Sequence, residues 1–402
     1  MGGLKLIPIY THYVTPTYSK YNLLGMLHVA SRFRTAIIRR VRVHGYTYTV
    51  ELLTDKSERE LAQDLAETVQ RERREIVRAE GKRYRAMDGF GFVCQSSGTD
   101  PYFNAPAVCR YIEYLTGKET SLSTVSKSGK GRKSTQASES EVFSSIFAER
   151  IHDKRSSTGK SPSLILAPEL GKYATSGIPY EGGLYPDVGD SGGASACLLF
   201  ALIGWACCSF KWEIAEERRS HHVFAYVAPK DYLGHAEAKA LYWIGRRLAY
   251  VTSLFVSYAG REASEVKEKL STLGILAMLS PVIRDVAESA DILSKLELNI
   301  YTHSFEGGRH SIRIAGAFGL DRVDVRLLPS RLVGAMLAYV NHLPKLVFEV
   351  PSFLNTLGEY LVSGNDVLYI EALRELASVL SDRETSEDTK WMARVLLQNA
   401  GR

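Results

Sequence analysis

Hydrophobic and polar residues alternate along some segments of the chain and recur at helical spacing along others. In the amino-terminal region, GYTYTVELL (45–53) alternates the two kinds and begins with glycine, which predicts a strand. Ser57 with Glu60 three residues later is a helix-start signature, and the charged amphipathic stretch behind it predicts a helix to about Ala79. Three further segments complete this region: a strand at 4–10, a helix at 21–33 and strand material at 81–95. The mixture predicts an α/β unit.

After residue 164 the helical period dominates. The run ASACLLFALIGWACCSF (194–210) holds no charged residue and no turn signal, so we predict one buried helix there. HHVFAYVAP (221–229) predicts a strand that ends at a proline, and 309–316 predicts a second short strand. Helices are predicted at 234–257, 262–279, 281–297, 330–342, 352–362, 366–381 and 386–399.

The predicted fold class is α+β, with an N-terminal α/β region followed by a mainly α-helical C-terminal region. The middle of the chain differs from both, because SLSTVSKSGKGRKSTQASESE holds almost no apolar residue. The predicted domains are an N-terminal α/β domain at 1–120, a basic Ser/Lys/Gly-rich loop region at 121–162, and a mainly helical domain with one or two short strands at 163–402.

Composition narrows the class of protein. Of the 402 residues, 45% are apolar and 24% are charged, and the net charge is +5, which is typical of a mildly basic globular chain. The five cysteines form no CxxC pair, which argues against a disulfide framework and against a zinc site. The residues MGGLKLIPIYTH lack a signal-peptide pattern, and 191–210 reaches spanning length without basic flanks. We therefore expect a cytoplasmic protein with reduced thiols and no membrane partner.

Ser191 lies in Gly-Asp-Ser-Gly-Gly, the sequence around the nucleophilic serine of trypsin-like proteases. Such a serine needs a positioned histidine base, and the four upstream histidines lack the small-residue, cysteine-containing context of that base. An apolar run follows Ser191 at once. We therefore predict a glycine turn that enters a buried helix, and no catalytic residue.

Three other motifs lack the context that their chemistry requires. STGKS (157–161) has Lys154 where a P-loop has its first glycine, and the strand-like SLILAP follows it instead of preceding it. His152-Asp153 and His221-His222 have no spaced partners to complete a metal site. No cofactor and no metal ion is predicted.

Clustered cations are the clearest chemical signal. Lysines on flexible Gly/Ser backbone can reach phosphates, and each neutralised phosphate releases counterions. The alternative is a solvated surface loop. The predicted nucleic-acid contacts here are Lys127, Lys130, Arg132 and Lys133 in one loop and Lys154, Arg155 and Lys160 in the next.

A second basic cluster lies where a predicted helix end runs into a strand. It comprises Arg32, Arg34, Arg39, Arg40 and Arg42. A helix end alone does not require so many arginines, and arginine offers bidentate phosphate geometry. We predict Arg39, Arg40 and Arg42 as fixed nucleic-acid contacts, because adjoining secondary structure can hold them.

DGFGFVCQ (88–95) resembles the base-stacking strand of an RNA-recognition motif, with Phe90 and Phe92 at the alternating aromatic positions. Asp88 replaces the leading basic residue of that motif, and Gln95 replaces its closing aromatic. Alternating phenylalanines also suit a buried strand, so both interpretations stay open.

Four segments in a fixed order resemble a known family. NLLGMLHVASRF and RVHGYTYTVELL precede the basic middle, and GGASACLLFALIGWACCSF and VFAYVAP follow it, before a helical C-terminal region. This order is similar to that of the large subunit of archaeal type I-A CRISPR effector complexes, the Cascade large subunit. The resemblance covers most of the chain and rests on the order of these segments and on the kinds of residue that they contain.

The resemblance implies a non-enzymatic protein that contacts guide RNA and target DNA, reads the protospacer-adjacent motif and recruits the helicase-nuclease. Its implied partners are the backbone, guide-5′-end and small subunits of the complex. Two other classes stay open: a stand-alone hydrolase that uses Ser191 or a nucleotide enzyme that uses STGKS, and an interaction or scaffold protein whose basic loops only aid solubility.

Overall fold

The computed structural model describes residues 3–11, 16–33, 35–45, 47–80, 83–86, 93–95, 145–147, 200–201, 203–205, 207–216, 219–259, 270–287, 292–306, 309–320 and 322–401. The seven cations predicted in the two basic loops lie outside the described residues, as do Ser191, STGKS, and Phe90 with Phe92.

The amino-terminal elements are β1 (Lys5–Tyr10), α1 (Pro16–Ala30), β2 (Ala36–His44), β3 (Thr47–Thr54), α2 (Glu58–Ile76), β4 (Val77–Glu80), β5 (Arg83–Ala86) and β6 (Val93–Gln95). The predicted start of α2 is confirmed. The Ser57 N–H donates to Glu60 Oε2 at 2.7 Å, and the Glu60 N–H donates to Ser57 Oγ at 3.3 Å, so two donors of the first turn are satisfied. The helix ends at Ile76, before the predicted Ala79, because β4 begins at the next residue.

The later elements are β7 (Phe210–Glu216), β8 (Arg219–Pro229), β9 (Leu233–Gly234), α3 (His235–Ala259), α4 (Thr272–Ala287), β10 (Leu296–Glu306), β11 (Arg309–Gly319), α5 (Ser330–Ala338), α6 (Leu343–Glu349), α7 (Pro351–Ser363), α8 (Asp366–Ser378) and α9 (Glu387–Asn399). An N-terminal sheet region is thus followed by a mainly helical C-terminal region, as the sequence predicts.

The helix predicted at 281–297 is wrong in its second half. The helix α4 ends at Ala287, and β10 begins at Leu296. Leu296, Leu298 and Ile300 are fully buried at every second position, which is the period of a strand.

Two other predictions for this region need correction. The part of 163–402 that the structure describes contains a four-stranded antiparallel sheet in the order β11-β10-β8-β7, instead of one or two short strands. The helix predicted at 194–210 is helical at 200–201, 203–205 and 207, and Phe210 already belongs to β7.

The first sheet has the order β1-β3-β2-β9. Its strand β3 lies between β1 and β2 and pairs antiparallel with both. With α1 after β1 and α2 after β3, this is the split βαβ arrangement of ferredoxin-like units. The short strand β9 joins the edge of β2 through two pairs, Arg40 with Gly234 and Val41 with Leu233.

We call the sheet β11-β10-β8-β7 the second sheet, and the helix α1 lies between the first sheet and one face of it. Its Tyr21 ring is 4.6 Å from the ring of Tyr226 on β8, and the same helix contacts β3 and β2. On the other face of the second sheet, Trp212 of β7 packs against Phe255 of α3 and Phe348 of α6, at 5.4 and 5.7 Å between ring centroids. The two sheets and the helices therefore share one hydrophobic core.

Two glycines bring α1 into backbone contact with the helical residues 200–201 and 203–205. A Cβ on Gly25 would lie 1.8 Å from the Phe200 carbonyl oxygen, and a Cβ on Gly204 would lie 2.0 Å from that of Tyr21. The described residues of the apolar run therefore pack inside the protein at this crossing. Among the described residues, no helix is long and apolar enough to cross a membrane.

The C-terminal helices begin and end at residues with the expected capping chemistry. Gly364 adopts a left-handed φ of 68° after α7, and Asn365 Oδ1 accepts from the Val367 N–H at 3.1 Å to begin α8. Ser386 Oγ accepts from the Thr389 N–H at 3.3 Å at the start of α9. These local signals explain why the predicted bounds of these helices lie close to the observed ones.

Candidate nucleic-acid interface

A β-bulge in β2 places two consecutive arginines on the solvent side of the first sheet. Ile38 pairs with Leu52 and Arg40 pairs with Glu51, so Arg39 is the extra residue. Ile38 and Val41 are both buried although they are three positions apart. Arg39 is exposed, and no ion pair holds it among the described residues.

Arg40 and Arg42 share one carboxylate. The Arg42 Nε donates to Glu51 Oε1 at 2.6 Å, and the Arg40 Nε donates to the other oxygen of the same group. The hydrogen bond to Glu51 raises the pKa of Arg40, with a smaller contribution from Tyr232. The negative charge of Glu51 offsets part of the positive charge of the two arginines. Glu51 itself is only 7% exposed, so the pair presents less net charge to solvent than two free arginines would. Of the three predicted β2 contacts, Arg39 is thus the most available cation.

The exposed face of α3 alternates cations with aromatic rings. Lys239, Trp243, Arg247 and Tyr250 follow one another at intervals of four, four and three residues, which places them on one side of the helix. The exposed fraction is 47% for Trp243 and 42% for Tyr250. Arg247 lies 3.6 Å from Asp285, and both side chains are about half exposed, so this ion pair is weak.

The β2 arginines and the α3 face form one surface. The helix α3 follows β9 directly, and β9 pairs with β2 at Arg40. His235, the first residue of α3, donates from Nδ1 to the Ile38 carbonyl oxygen at 2.6 Å. We call this surface the basic strip and define it by its cations, which are Arg32, Arg39, Arg40, Arg42, Lys239 and Arg247.

A cavity of about 280 Å³ is lined by two cations of the basic strip, Arg32 and Lys239. It lies between the end of α1, the start of β2 and the first turns of α3, and its walls include Arg32, Phe33, Ile37, Lys239 and Trp243. Of its lining residues within the described part of the chain, none is acidic. The lining thus combines apolar and aromatic side chains with two cations, Arg32 and Lys239.

The inner wall of the cavity is rigid and uncharged. The Tyr242 ring lies 5.1 Å from the Trp243 ring on the cavity side and meets the buried His28 ring edge-on at 5.8 Å behind it. Burial lowers the pKa of His28 well below its usual value, and Arg246 and Arg32 lower it further. His28 is therefore neutral at pH 7, and neither of its ring nitrogens has a hydrogen-bond partner among the described residues.

The structure brings Arg39, Arg40 and Arg42 together with residues that sequence reasoning missed. Lys239, Trp243 and Arg247 were available as a signal, because KALYWIGRRLAY repeats cations and aromatics at helical spacing. The described part of the chain contains no cluster of three His, Cys, Asp or Glu residues that could hold a metal ion. His221 and His222 pair with Ser304 and His303 across the second sheet.

Comparison with known proteins does not assign the chain to a family. No protein-family model matches the chain, and no curated protein matches it.

Proposed function

We propose that this chain is a non-enzymatic, nucleic-acid-binding large subunit of a CRISPR RNA-guided DNA surveillance complex. The observation that carries the nucleic-acid part is the basic strip, where six cations and an exposed tryptophan lie on adjoining elements. The effector-complex part rests on the resemblance in segment order.

The chemistry of the strip suits a phosphate backbone with accessible bases. Cations track phosphates without reading sequence, and exposed aromatic side chains stack on bases of any identity. Arg39 and Lys239 supply charge without a competing carboxylate in the described residues. Arg247 adds a third cation, since its exposed contact with Asp285 is easily exchanged for a phosphate.

Among the described residues, the outer face of the first sheet has no aromatic residue on its central strand β3 on which a base could stack. We therefore assign contact with nucleic acid to the basic strip and not to the centre of the sheet. RNA-recognition motifs stack bases on aromatics of their central strands. Here the outward positions of β3 are Thr49, Glu51 and Leu53, because Val50 and Leu52 face the core. The predicted loops at 127–133 and 154–160 add seven cations that we assign to backbone positioning of guide RNA or target DNA.

The test is binding of nucleic acid at graded salt by two matched triple variants. The strip variant carries Arg39→Ala, Lys239→Ala and Arg247→Ala. The control variant carries the same loss of charge on exposed arginines of the C-terminal region: Arg374→Ala, Arg383→Ala and Arg394→Ala. We expect the strip variant to flatten the log–log salt slope for single strands by up to about 2 units, and the control to leave it unchanged. Equal slopes for both variants would overturn the proposal.

A second measurement addresses the effector complex. Complexes reconstituted with guide RNA, backbone subunits and this chain are compared on duplexes with intact and scrambled protospacer-adjacent motifs. We expect this chain to be required for discrimination between the two duplexes and for helicase-nuclease recruitment. Discrimination that persists without the chain would contradict the large-subunit assignment.

A further inference from the structure

We propose that the cavity beside Trp243 holds one unpaired nucleotide of a bound single strand, with its base on the indole and a flanking phosphate on Lys239 and Arg32. This inference rests on the proposed function and deepens it, because it names the form of nucleic acid that the strip prefers.

The first argument is the chemistry of the walls. Trp243 on α3 presents about half of its surface to solvent, and the other residues that line the cavity include Phe33 and Ile37. An exposed indole beside apolar side chains offers a stacking surface for any base, since every base has a π-face. Ile37 is itself 57% exposed, so the apolar wall is open and not filled by the protein.

The second argument is charge. Lys239 and Arg32 are among the residues that line the same cavity, and the lining contains no carboxylate within the described residues. The nearest acidic residue of α3, Glu237, is held by Lys295 at 2.6 Å and by the Gly234 N–H at 2.7 Å. A ligand with an apolar ring and a neighbouring anion matches this pattern, and a nucleotide has both.

The third argument is size. Ligand cavities usually enclose about 300–1,000 Å³. At about 280 Å³, this one accommodates a single ring system and its sugar. A base inside a duplex has both faces covered by its neighbours, so it cannot enter without leaving the stack. The cavity therefore favours a single strand over a duplex.

The fourth argument is rigidity. The cavity wall is backed by Tyr242, whose ring meets the buried, neutral His28. On the strand side, the His235 contact with the Ile38 carbonyl fixes the first turn of α3 against β2. The stacking surface is therefore formed before the ligand arrives, which lowers the entropic cost of binding.

The experiment measures binding of a single-stranded oligodeoxynucleotide, the same strand with abasic positions, its duplex, and the matching RNA. All variants carry Trp391→Phe, because Trp391 is the other exposed tryptophan and Trp205 and Trp212 are at most 4% exposed. Quenching of the remaining fluorescence then reports contact at Trp243. We expect quenching by the single strands, weak quenching by the duplex, and little by the abasic strand.

Substitutions at Trp243 separate stacking from folding. Filter binding measures these variants, because they lack the fluorescent reporter. Trp243→Ala is expected to weaken single-strand binding by about fivefold to 150-fold, whereas Trp243→Phe keeps most of the affinity. Neither is expected to change the salt slope, because no phosphate contact is lost. RNA that binds much more tightly than DNA would assign the site to guide RNA, and the reverse would assign it to a DNA strand.

Two outcomes overturn the inference in different ways. If single strands bind, depend on the strip cations and ignore both Trp243 variants and abasic positions, the cavity is not a nucleotide site and the proposed function stands. If no single strand or duplex binds, and the strip variant behaves as its control, the proposed function fails and the inference fails with it.

Discussion

The backbone contact of Gly25 and Gly204, where α1 crosses the helical residues 200–201 and 203–205, gives a sharp test of the fold. Replacement of Gly25 by alanine puts a Cβ 1.8 Å from the Phe200 carbonyl oxygen, and the carbonyl carbon and Cα of Phe200 are also within 3 Å. The two backbones must move apart by about 1.5 Å before that contact becomes ordinary. None of these three atoms belongs to a flexible side chain, so the clash cannot be relieved locally.

The magnitude follows from two opposing terms. Overpacking a well-packed core costs about 1–3 kcal/mol, and a clash between backbones lies at the upper end. Alanine recovers about 1 kcal/mol relative to glycine through helix propensity. We therefore expect Gly25→Ala to lower the free energy of unfolding by about 2 kcal/mol.

The matched control is Gly334→Ala in α5. Nothing lies within 4 Å of a Cβ at Gly334, so this variant gains the propensity term alone and is expected to raise the free energy of unfolding by about 0.5–1 kcal/mol. Guanidinium titration monitored by tryptophan fluorescence measures both, because Trp205 is buried beside the crossing. Gly204→Ala should resemble Gly25→Ala, and the double variant should cost less than the sum, since one separation relieves both clashes.

A Gly25→Ala protein as stable as the wild type would refute this packing. So would equal shifts for Gly25→Ala and Gly334→Ala, because the opposite signs come only from the crossing.

Three further predictions concern single groups. Burial lowers the pKa of His28, so the unfolded chain takes up a proton first and stability falls as the pH drops below about 6.5; between pH 7.5 and 5.5 the wild type should lose up to about 1.4 kcal/mol more than His28→Phe in urea titrations. Glu51→Gln frees Arg40 and Arg42, so it should lower the denaturation midpoint yet tighten nucleic-acid binding, with a salt slope steeper by about one unit per new phosphate contact; unchanged binding would show that the pair faces no phosphate. A fluorophosphonate probe should label Ser191 no better in the native protein than after heat denaturation, and selective native labelling would revive the hydrolase alternative.

Elements with local signals could be predicted from the sequence. The reciprocal Ser57–Glu60 hydrogen bonds and the alternation in β3 each depend on residues a few positions apart. The strand β10 was missed because the apolar residues of LELNIYTHSF continue the apolar positions of 281–293, and periodicity alone does not locate the boundary between helix and strand. Two residues at β9 are too few to give any signal.

The candidate site could be predicted only in part, because register and packing build it. The cluster of β2 arginines was visible, but the bulge at Arg39 and the pairing with Glu51 depend on how β2 aligns with β3. The cavity joins residues near 32–38 with residues near 235–243, and no local pattern links such distant segments. The sequence of α3 does show Lys239, Trp243 and Arg247 at intervals of four residues, so this part of the site has a local signal.

The short strand β9 is synthesised long after β2, the strand with which it pairs. It covers only two of the nine residues of β2, and it leaves the ribosome about 10–40 s after them at ordinary rates of synthesis. During that interval the backbone groups of Arg40 and Val41 lack their β9 partners and can pair with another nascent chain. The positive charges of Arg39, Arg40 and Arg42 repel the same arginines on the β2 strand of a neighbouring copy. The arginines that we assign to nucleic acid would thus also protect the nascent chain against aggregation through the edge of β2.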